Sequence, residues 1–399
     1  MLTYHTAGES HGKGLLALVD GFPAGLEIQT ETINYELARR QGGYGRGGRQ
    51  RLETDTAEIL TGIWGMKTIG SPIALWVKNR DYRLPGLPDL ETARPGHGDL
   101  TGSRKFLSGM RAILERASAR ETAARVAAGG LTRQLLSLFG IEAVGFVQQV
   151  GDVSLPVTKE AEELFDRLKA AGENGEDCVP IMAEIRKFRD GNDLYALSSE
   201  NAIEAGKARI DRAAKEGDTL GGIIEVRVTG LPFGLGTHAQ WDAKLDGKLA
   251  QAVMAVQAIK GVEIGLGFEA AKLPGSQVHD EIGYDDAKQE TRTLGFVRPT
   301  NRAGGLEAGM TNSQPLVLRA AMKPIATLRK GLPTIDPVTH KSVSACWERS
   351  DICAISAASV VVENVTAFEI AAALVEKFGG DSVEEIRERI ALFESLARR

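Results

Sequence analysis

The chain has 399 residues, of which 43% are hydrophobic and 25% are charged, and its formal net charge is -5. This length allows two or three domains of ordinary size or a single large one. The slightly acidic total argues against a general nucleic-acid binder, which usually carries a basic excess. The cysteines, Cys178, Cys346 and Cys353, are too few and too scattered for a disulfide framework or a zinc site, so no metal is expected.

The first residues, MLTYHTAGESHG, do not form a basic segment followed by an apolar run, so no signal peptide is expected. No apolar run reaches the ~18–20 residues that span a bilayer. No linker, repeat or low-complexity segment divides the sequence. We therefore expect a soluble cytoplasmic protein.

Residues 1–28 read as two strands around the polar turn AGESHGKG, which carries His11. A single histidine is more often structural than catalytic. Here the flanking glycines should leave the ring uncrowded, which favours a functional role. After this pair of strands, Thr30 can cap a short helix over residues 31–40 that ends at Gly42 and Gly43.

Residues 39–51, RRQGGYGRGGRQR, hold five arginines and five glycines with no acidic residue. Glycine allows close approach of the backbone to a ligand, and arginine binds carboxylate and phosphate oxygens two at a time. The stretch therefore predicts a clamp for a small, highly anionic molecule. Two other interpretations stay open: a solvated basic loop, and cations that stabilise the end of the preceding helix, where Arg39 and Arg40 lie.

Residues 79–106 are polar and rich in proline, and no regular element fits them. Such long loops are often functional, and this one carries Arg94, His97 and Asp99. Next, Ser118 and Glu121 have the spacing of a capping box before an alanine-rich helix that runs to about Phe139. A helix N-terminus also attracts anions.

The middle of the chain alternates strands (AVGFVQQV and IIEVRV) with helices (159–171 and 200–216), and an apolar core helix is expected at 248–260. Residues 299–327 combine a glycine-rich loop with a strand, which suits either cofactor binding or a contact between subunits. Asp351 precedes an apolar helix, where an acid beside Arg349 most often forms an ion pair. Ser382 and Glu385 predict a capping box on a final amphipathic helix at 383–397.

Taken together, these stretches resemble the chorismate synthase family. The matching segments run through the chain in the family's order: AGESHG at 7–12, RRQGGYGRGGR at 39–49, RPGHGD at 94–99, ERASARETAARVAAG at 115–129, EGDTLGG at 216–222, QAIKGVEIGLGFEA at 257–270, NRAGGLEAGMTNSQP at 301–315, MKPIAT at 322–327 and ERSDICA at 348–354. No single segment is decisive, but the set is highly specific.

The resemblance implies an anti-1,4-elimination of phosphate from 5-enolpyruvylshikimate 3-phosphate to give chorismate. It also implies a need for reduced FMN without net redox change. The implied fold is α+β, a single domain over residues 1–399 in which helices lie between two antiparallel sheets as a β-α-β sandwich. A homotetramer is expected. No flavin-reductase segment is evident, so a separate flavin reductase or other reductant is expected, with NADPH as a possible source of electrons.

The resemblance also implies roles for individual residues. His11 would protonate the departing phosphate, His97 would act as the acid partner of the reduced flavin, and Asp351 would help to take the ring proton. Substrate contacts would come from Arg40, Arg46, Arg49 and Arg94. Flavin or NADPH contacts would come from Arg40, Arg46, Arg116, Ala117, Ser118, Gln257, Ala258, Ala308, Lys323, Pro324, Ile325, Ala326, Thr327 and Arg349.

The sequence departs from the family pattern at Gly98, where alanine is common, and at Lys105–Phe106, where a lysine–tyrosine pair is common. The loop before Arg94 is also shorter than in many relatives. On the residues alone, two other classes stay open: an RNA-binding protein that uses the Arg/Gly stretch, and an ordinary NADPH oxidoreductase. The acidic total and the aromatic content of 6% argue against RNA binding.

Overall fold

A computed structural model describes residues 1–47, 54–345 and 351–398. The helices are α1 (Thr30–Gln41), α2 (Asp99–Phe106), α3 (Met110–Ala117), α4 (Thr122–Leu138), α5 (Lys159–Asn174), α6 (Val179–Asp190), α7 (Glu200–Lys215), α8 (Leu245–Met254), α9 (Ile355–Phe378) and α10 (Val383–Ala397). The strands are β1 (Thr3–Gly8), β2 (Gly14–Asp20), β3 (Ala57–Ile59), β4 (Ile63–Trp64), β5 (Lys67–Thr68), β6 (Ile73–Lys78), β7 (Glu142–Val150), β8 (Val153–Ser154), β9 (Gly222–Thr229), β10 (Phe233–Gly236), β11 (Ile259–Ile264), β12 (Gly283–Tyr284), β13 (Phe296–Val297), β14 (Leu306–Glu307), β15 (Met310–Asn312), β16 (Leu316–Met322), β17 (Pro333–Ile335) and β18 (Ser342–Ser344).

The N-terminal sheet has the strand order β1-β2-β6-β3, and its neighbouring strands are antiparallel. In β2, the side chains of Leu15, Ala17 and Val19 are fully buried, while Leu18 on the opposite face is exposed. This alternation follows from the two-residue period of a strand. The sheet therefore buries one face, and α4 packs against that side of β2 and β6.

A second sheet has the order β11-β16-β9-β7-β8 and is also antiparallel. Helix α9 packs on β7 and β9, and α4 packs on α9. By length and composition α9 could cross a membrane, but 89% of its most apolar window is buried inside the protein. It is therefore a core helix, and the fold is mixed α+β.

The structure agrees with the predicted helix bounds more often than with the predicted helix caps. Helix α1 forms as expected, but it begins at Thr30, and its N-cap Gln29 makes no side-chain cap bond. Ser118 accepts from the backbone N–H of Arg120 and caps a short 3-10 turn ahead of α4, so the expected capping box with Glu121 is wrong. The capping box of Ser382 and Glu385 on α10 is confirmed.

Three local expectations differ from the structure. Residues 99–106, expected to be irregular, form α2, which buries Asp99 in its first turn. Helix α6 was not expected; its residues Met182 and Ile185 pack into a small core with α5. The apolar helix expected at 248–260 ends at Met254, and β11 begins at Ile259.

A buried ionic cluster lies where α1, α4, α6 and α9 meet. Glu363 is fully buried and accepts hydrogen bonds from Arg133 at 2.6 Å, Arg39 at 2.9 Å and Arg189 at 3.2 Å. Burial alone would raise the pKa of Glu363, but the three guanidinium groups outweigh burial and hold it far below its usual range. Arg39 also pairs with Glu36 at 2.8 Å. Arg39 is therefore part of the core, not of a ligand clamp.

Candidate active site

The turn between β1 and β2 places His11 in a buried position, with only 7% of the residue exposed. Nδ1 of its ring lies 2.9 Å and 3.0 Å from the two carboxylate oxygens of Glu115, in the last turn of α3. On the other side of the ring, Nε2 lies 3.4 Å from Arg83 and 3.7 Å from Asp81. The expectation of an uncrowded ring is wrong, because three charged side chains surround it.

Asn79, which follows β6, holds the turn that carries His11. Its side-chain amide donates to the carbonyl oxygens of Glu9 at 3.1 Å and Gly12 at 2.9 Å. Its Oδ1 accepts from Nε of Arg120 at 2.8 Å. The backbone around His11 is therefore fixed by buried hydrogen bonds.

His97 lies two residues before α2, beside a second buried carboxylate. Its Nδ1 is 2.6 Å from Oδ1 of Asp99 and 3.0 Å from Arg94. Arg94 also donates to Asp99 through Nε at 2.8 Å and through NH2 at 3.0 Å, in a bidentate pair. Burial would raise the pKa of Asp99, but the bonds from His97 and Arg94 outweigh it and lower that pKa strongly. Asp99 is therefore an ionised anchor for His97.

Arg40 leaves the end of α1 toward the interior and is 5% exposed. Its guanidinium donates to Thr122 at 2.9 Å and to the carbonyl of Ala119 at 3.0 Å, and it lies 3.4 Å from Asp55. Burial lowers the pKa of Arg40 to about 10, and the neighbouring cation Arg120 acts in the same direction. Asp55 also pairs with Arg120 at 2.6 Å, so the guanidinium groups of Arg40 and Arg120 contact the same carboxylate.

Arg46 and Asp351, which are 305 positions apart in sequence, form an ion pair at 2.9 Å. The segment after α1 is joined to residue 352 by a hydrogen bond from the Ile352 N–H to the Gly45 carbonyl at 2.8 Å. Gly45 has φ +80° and packs against Cys353, so a side chain there would meet that residue. Nε of Arg46 is buried and makes no hydrogen bond within the described residues. Arg49 and Arg349 lie outside the described residues.

Several of the expected flavin contacts come together beside His97. The Lys323 N–H donates to the Ala258 carbonyl at 2.9 Å, and the Lys323 amine donates to the Gly96 carbonyl at 2.6 Å. Burial and the neighbouring Lys260 lower the pKa of Lys323. Thr327 accepts from Arg94 at 3.4 Å. Pro324, Ile325 and Ala326 lie between these anchored residues.

A second group of expected contacts lies by β1. The guanidinium of Arg116 donates to the carbonyl oxygens of Thr6 at 2.9 Å and Gly8 at 3.0 Å. Ala117 ends α3, and the next residue, Ser118, donates to the Ser10 hydroxyl at 3.2 Å, so this group adjoins the His11 turn. Gln257 reaches Glu121 at 3.1 Å through Nε2.

Ala308 is not brought to either group. It lies in the turn between β14 and β15, where the next residue, Gly309, accepts from the Leu245 N–H at 3.0 Å, at the start of α8. Gln257 and Ala258 follow the other end of that ten-residue helix. At 1.5 Å per residue, the helix separates them by about 15 Å.

Six residues that shape the site were not singled out from the sequence: Asp55, Asn79, Asp81, Arg83, Glu115 and Arg120. Glu115 and Arg120 stand in the segment ERASARETAARVAAG, but no spacing rule links residue 115 to residue 11. Their contacts form only when distant segments pack together. No signal in the sequence alone could have assigned them.

These features define a class of protein: an enzyme that performs acid–base chemistry on a small anionic substrate. Two histidines each have a buried carboxylate at Nδ1, and buried arginines lie nearby: Arg94 contacts His97, and Arg120 contacts the Asn79 side chain that holds the His11 turn. Histidine is the usual side chain for proton transfer near neutral pH, and arginine is the usual partner for carboxylate and phosphate.

Comparisons with known proteins give the family. The family model described as chorismate synthase matches residues 2–375. Chorismate synthase from Geobacter sulfurreducens is 49% identical over 402 residues, covering 97% of each chain, and that from Desulforamulus reducens is 50% identical over 411 residues, covering 100% of each. A structure titled "Crystal Structure of Chorismate Synthase" superposes with a TM-score of 0.76 at 41% identity, covering 100% of this chain and 98% of that one.

The chain belongs to the chorismate synthase family. The reaction of this family is the anti-1,4-elimination of phosphate from 5-enolpyruvylshikimate 3-phosphate, a lyase step in aromatic amino acid biosynthesis.

Proposed function

We propose that the chain catalyses this elimination with reduced FMN, and that His11, His97 and Asp351 are its catalytic residues. The observation that carries the proposal is the placement of His11, whose Nδ1 is held by Glu115 while Nε2 faces Arg83 and Asp81. Elimination of phosphate needs an acid for the leaving group, and a histidine with one nitrogen anchored can deliver a proton from the other.

Substrate binding is assigned to Arg40, Arg46, Arg49 and Arg94. The substrate carries two carboxylates and a phosphate, and arginine side chains bind such groups through charge-assisted hydrogen bonds. Arg46 supports this most directly, because its Nε is buried without a hydrogen-bond partner among the described residues. Arg94 contributes indirectly in our proposal, since its guanidinium is held by Asp99.

The residues present fit a flavin mononucleotide. Gln257 has a buried Oε1 that makes no hydrogen bond within the described residues, and the rim of an isoalloxazine ring offers a donor for such an atom. We assign Arg116, Ala117, Ser118, Gln257, Ala258, Lys323 to Thr327 and Arg349 to this cofactor. When bound, reduced FMN supplies transient electron density to the substrate without net redox change.

The remaining residues divide the proton chemistry. We assign the protonation of the leaving phosphate to Nε2 of His11. His97, anchored to Asp99 at 2.6 Å, holds a proton next to the flavin contacts at Lys323. Asp351 assists removal of the ring proton, and its pair with Arg46 at 2.9 Å orients it. Ala308 lies apart from the other flavin residues, so we assign it to a neighbouring subunit's site.

We further propose the architecture and setting that the family implies. Helices α4 and α9 would form the middle layer of a β-α-β sandwich in one domain over residues 1–399. The protein would act in the cytoplasm as a homotetramer, with a separate flavin reductase or other reductant. Contacts of Arg40 and Arg46 to NADPH compete with substrate binding in this scheme, and we favour the substrate.

The decisive experiment measures stoichiometry. Under anaerobic conditions, a small amount of chemically reduced FMN should support many turnovers of phosphate release from 5-enolpyruvylshikimate 3-phosphate. Product that never exceeds the reduced FMN supplied would refute the redox-neutral role. Consumption of one NADPH per product would favour an ordinary oxidoreductase instead.

A further inference from the structure

Glu115 contacts His11 through two different groups of that residue. Its Oε2 accepts the His11 backbone N–H at 2.8 Å, and both of its oxygens lie within 3.0 Å of the ring Nδ1. The Glu115 side chain is only 1% exposed, and that of His11 only 9%. A carboxylate that binds the backbone and the ring of one residue together restricts the rotation of that side chain.

The charge state of Glu115 decides which ring nitrogen carries the proton. Burial alone would raise the pKa of Glu115, but the hydrogen bonds from the His11 ring and backbone outweigh burial and lower it. An ionised carboxylate can only accept hydrogen bonds. Both Glu115 oxygens lie within 3.0 Å of Nδ1, so an ionised Glu115 favours the tautomer with a hydrogen on Nδ1 and leaves Nε2 as the nitrogen available for proton exchange.

The other charged groups around His11 are compatible with this arrangement. Arg83 lies 3.4 Å from Nε2, and Asp81 lies 3.7 Å from it, so the neutral ring can accept there and the protonated ring has a counter-charge. Arg111, one turn before Glu115 on α3, approaches the carboxylate only to 3.9 Å. The His11 ring therefore lies closer to the Glu115 carboxylate than the Arg111 guanidinium does.

We propose that Glu115 is a positioning residue that fixes the tautomer and orientation of His11 so that Nε2 faces the leaving phosphate. The proposal rests on the proposed acid role of His11. It assigns to Glu115 no contact with substrate or flavin, so every effect of replacing Glu115 must act through the His11 ring.

The test combines kinetics with NMR. Glu115→Gln keeps the size of the side chain but introduces an amide that can donate to Nδ1. The hydrogen of the neutral His11 ring is then no longer restricted to Nδ1. We expect kcat to fall while KM for 5-enolpyruvylshikimate 3-phosphate changes little, with a loss bounded by the ~10²–10⁴-fold that general acid catalysis contributes. In ¹⁵N-histidine spectra, the resonances of His11, assigned by comparison with His11→Asn, should lose their Nδ1–H tautomer.

A double variant separates positioning from a general structural effect. If Glu115 acts only through His11, His11→Asn combined with Glu115→Gln should be no slower than His11→Asn alone. Additive losses would overturn the proposal, as would a normal tautomer and normal turnover in Glu115→Gln. If His11→Asn itself turns over normally, the acid role of His11 fails first, and the two failures are thereby distinguished.

One control variant and one substitute variant complete the test. Glu142→Gln changes another buried carboxylate, one that accepts from Ser137 at 2.5 Å and has no described contact with His11; it should leave the His11 resonances and turnover unchanged. If Glu115→Gln does not fold, the same kinetic and NMR measurements can be made on Glu115→Asp, which keeps the negative charge. It should retain the Nδ1–H tautomer with reduced kcat, and loss of that tautomer would refute the proposal.

Discussion

Replacing Glu363 with glutamine should strongly destabilise the fold. The carboxylate is fully buried and receives hydrogen bonds from three arginines, at 2.6 Å, 2.9 Å and 3.2 Å. Breaking a buried ion pair on one side typically costs about 3–5 kcal/mol, because the remaining charge is left buried without its partner. Glu36 stays beside Arg39 at 2.8 Å and partly compensates, so we expect about 3 kcal/mol, the lower end of that range.

Urea denaturation followed by fluorescence and circular dichroism measures this change in the free energy of unfolding. Arg167→Gln is the control, since its pair with Glu184 is half exposed and such pairs contribute about 0–1 kcal/mol. A decrease in the free energy of unfolding below about 1 kcal/mol for Glu363→Gln would refute the reasoning. It would mean that the desolvation cost of the buried carboxylate cancels the stabilisation from its three arginine contacts.

The same residue gives a pH dependence with a definite sign. Its pKa in the folded protein lies far below the value of about 4.3 in an unfolded chain. The stabilisation is therefore fully present above about pH 4.3 and is lost as pH falls further. The parent protein should lose stability over that range more steeply than Glu363→Gln, and parallel curves for the two proteins would contradict the assignment.

Two further predictions concern the active site. Arg49→Ala should remove charged hydrogen bonds worth roughly 1.5–3 kcal/mol, which weakens substrate affinity on the order of tenfold to a hundredfold. FMN affinity in the absence of substrate should change little, and calorimetric titration measures both affinities. Unchanged substrate binding would favour the interpretation of the Arg/Gly stretch as a solvated loop. His97→Ala should shift the pH titration of bound reduced FMN, read by absorbance, whereas His11→Ala should leave that titration unchanged and stop phosphate release. Identical titrations would refute the division of roles.

Local sequence signals determined many of the elements. Helices α5, α7 and α10 and strands β2, β7 and β9 were all expected, because the period of their apolar residues depends only on neighbours in sequence. The capping box of Ser382 and Glu385 is a contact over three residues and was equally readable. The order of short motifs was enough to indicate the family, because each motif is contiguous in the chain.

Only the tertiary structure decided what the individual charged residues do. Arg39, Arg40 and Arg46 look alike in the sequence, yet the first pairs with Glu363 in the core, the second with Asp55 beneath the site and the third with Asp351. The fate of a long charged side chain depends on which partner the packed chain brings near it, since an unpaired buried charge is costly. His11 likewise contacts Glu115, 104 positions away in sequence, only because the folded chain packs the two segments together. A local sequence pattern cannot predict a contact over that separation.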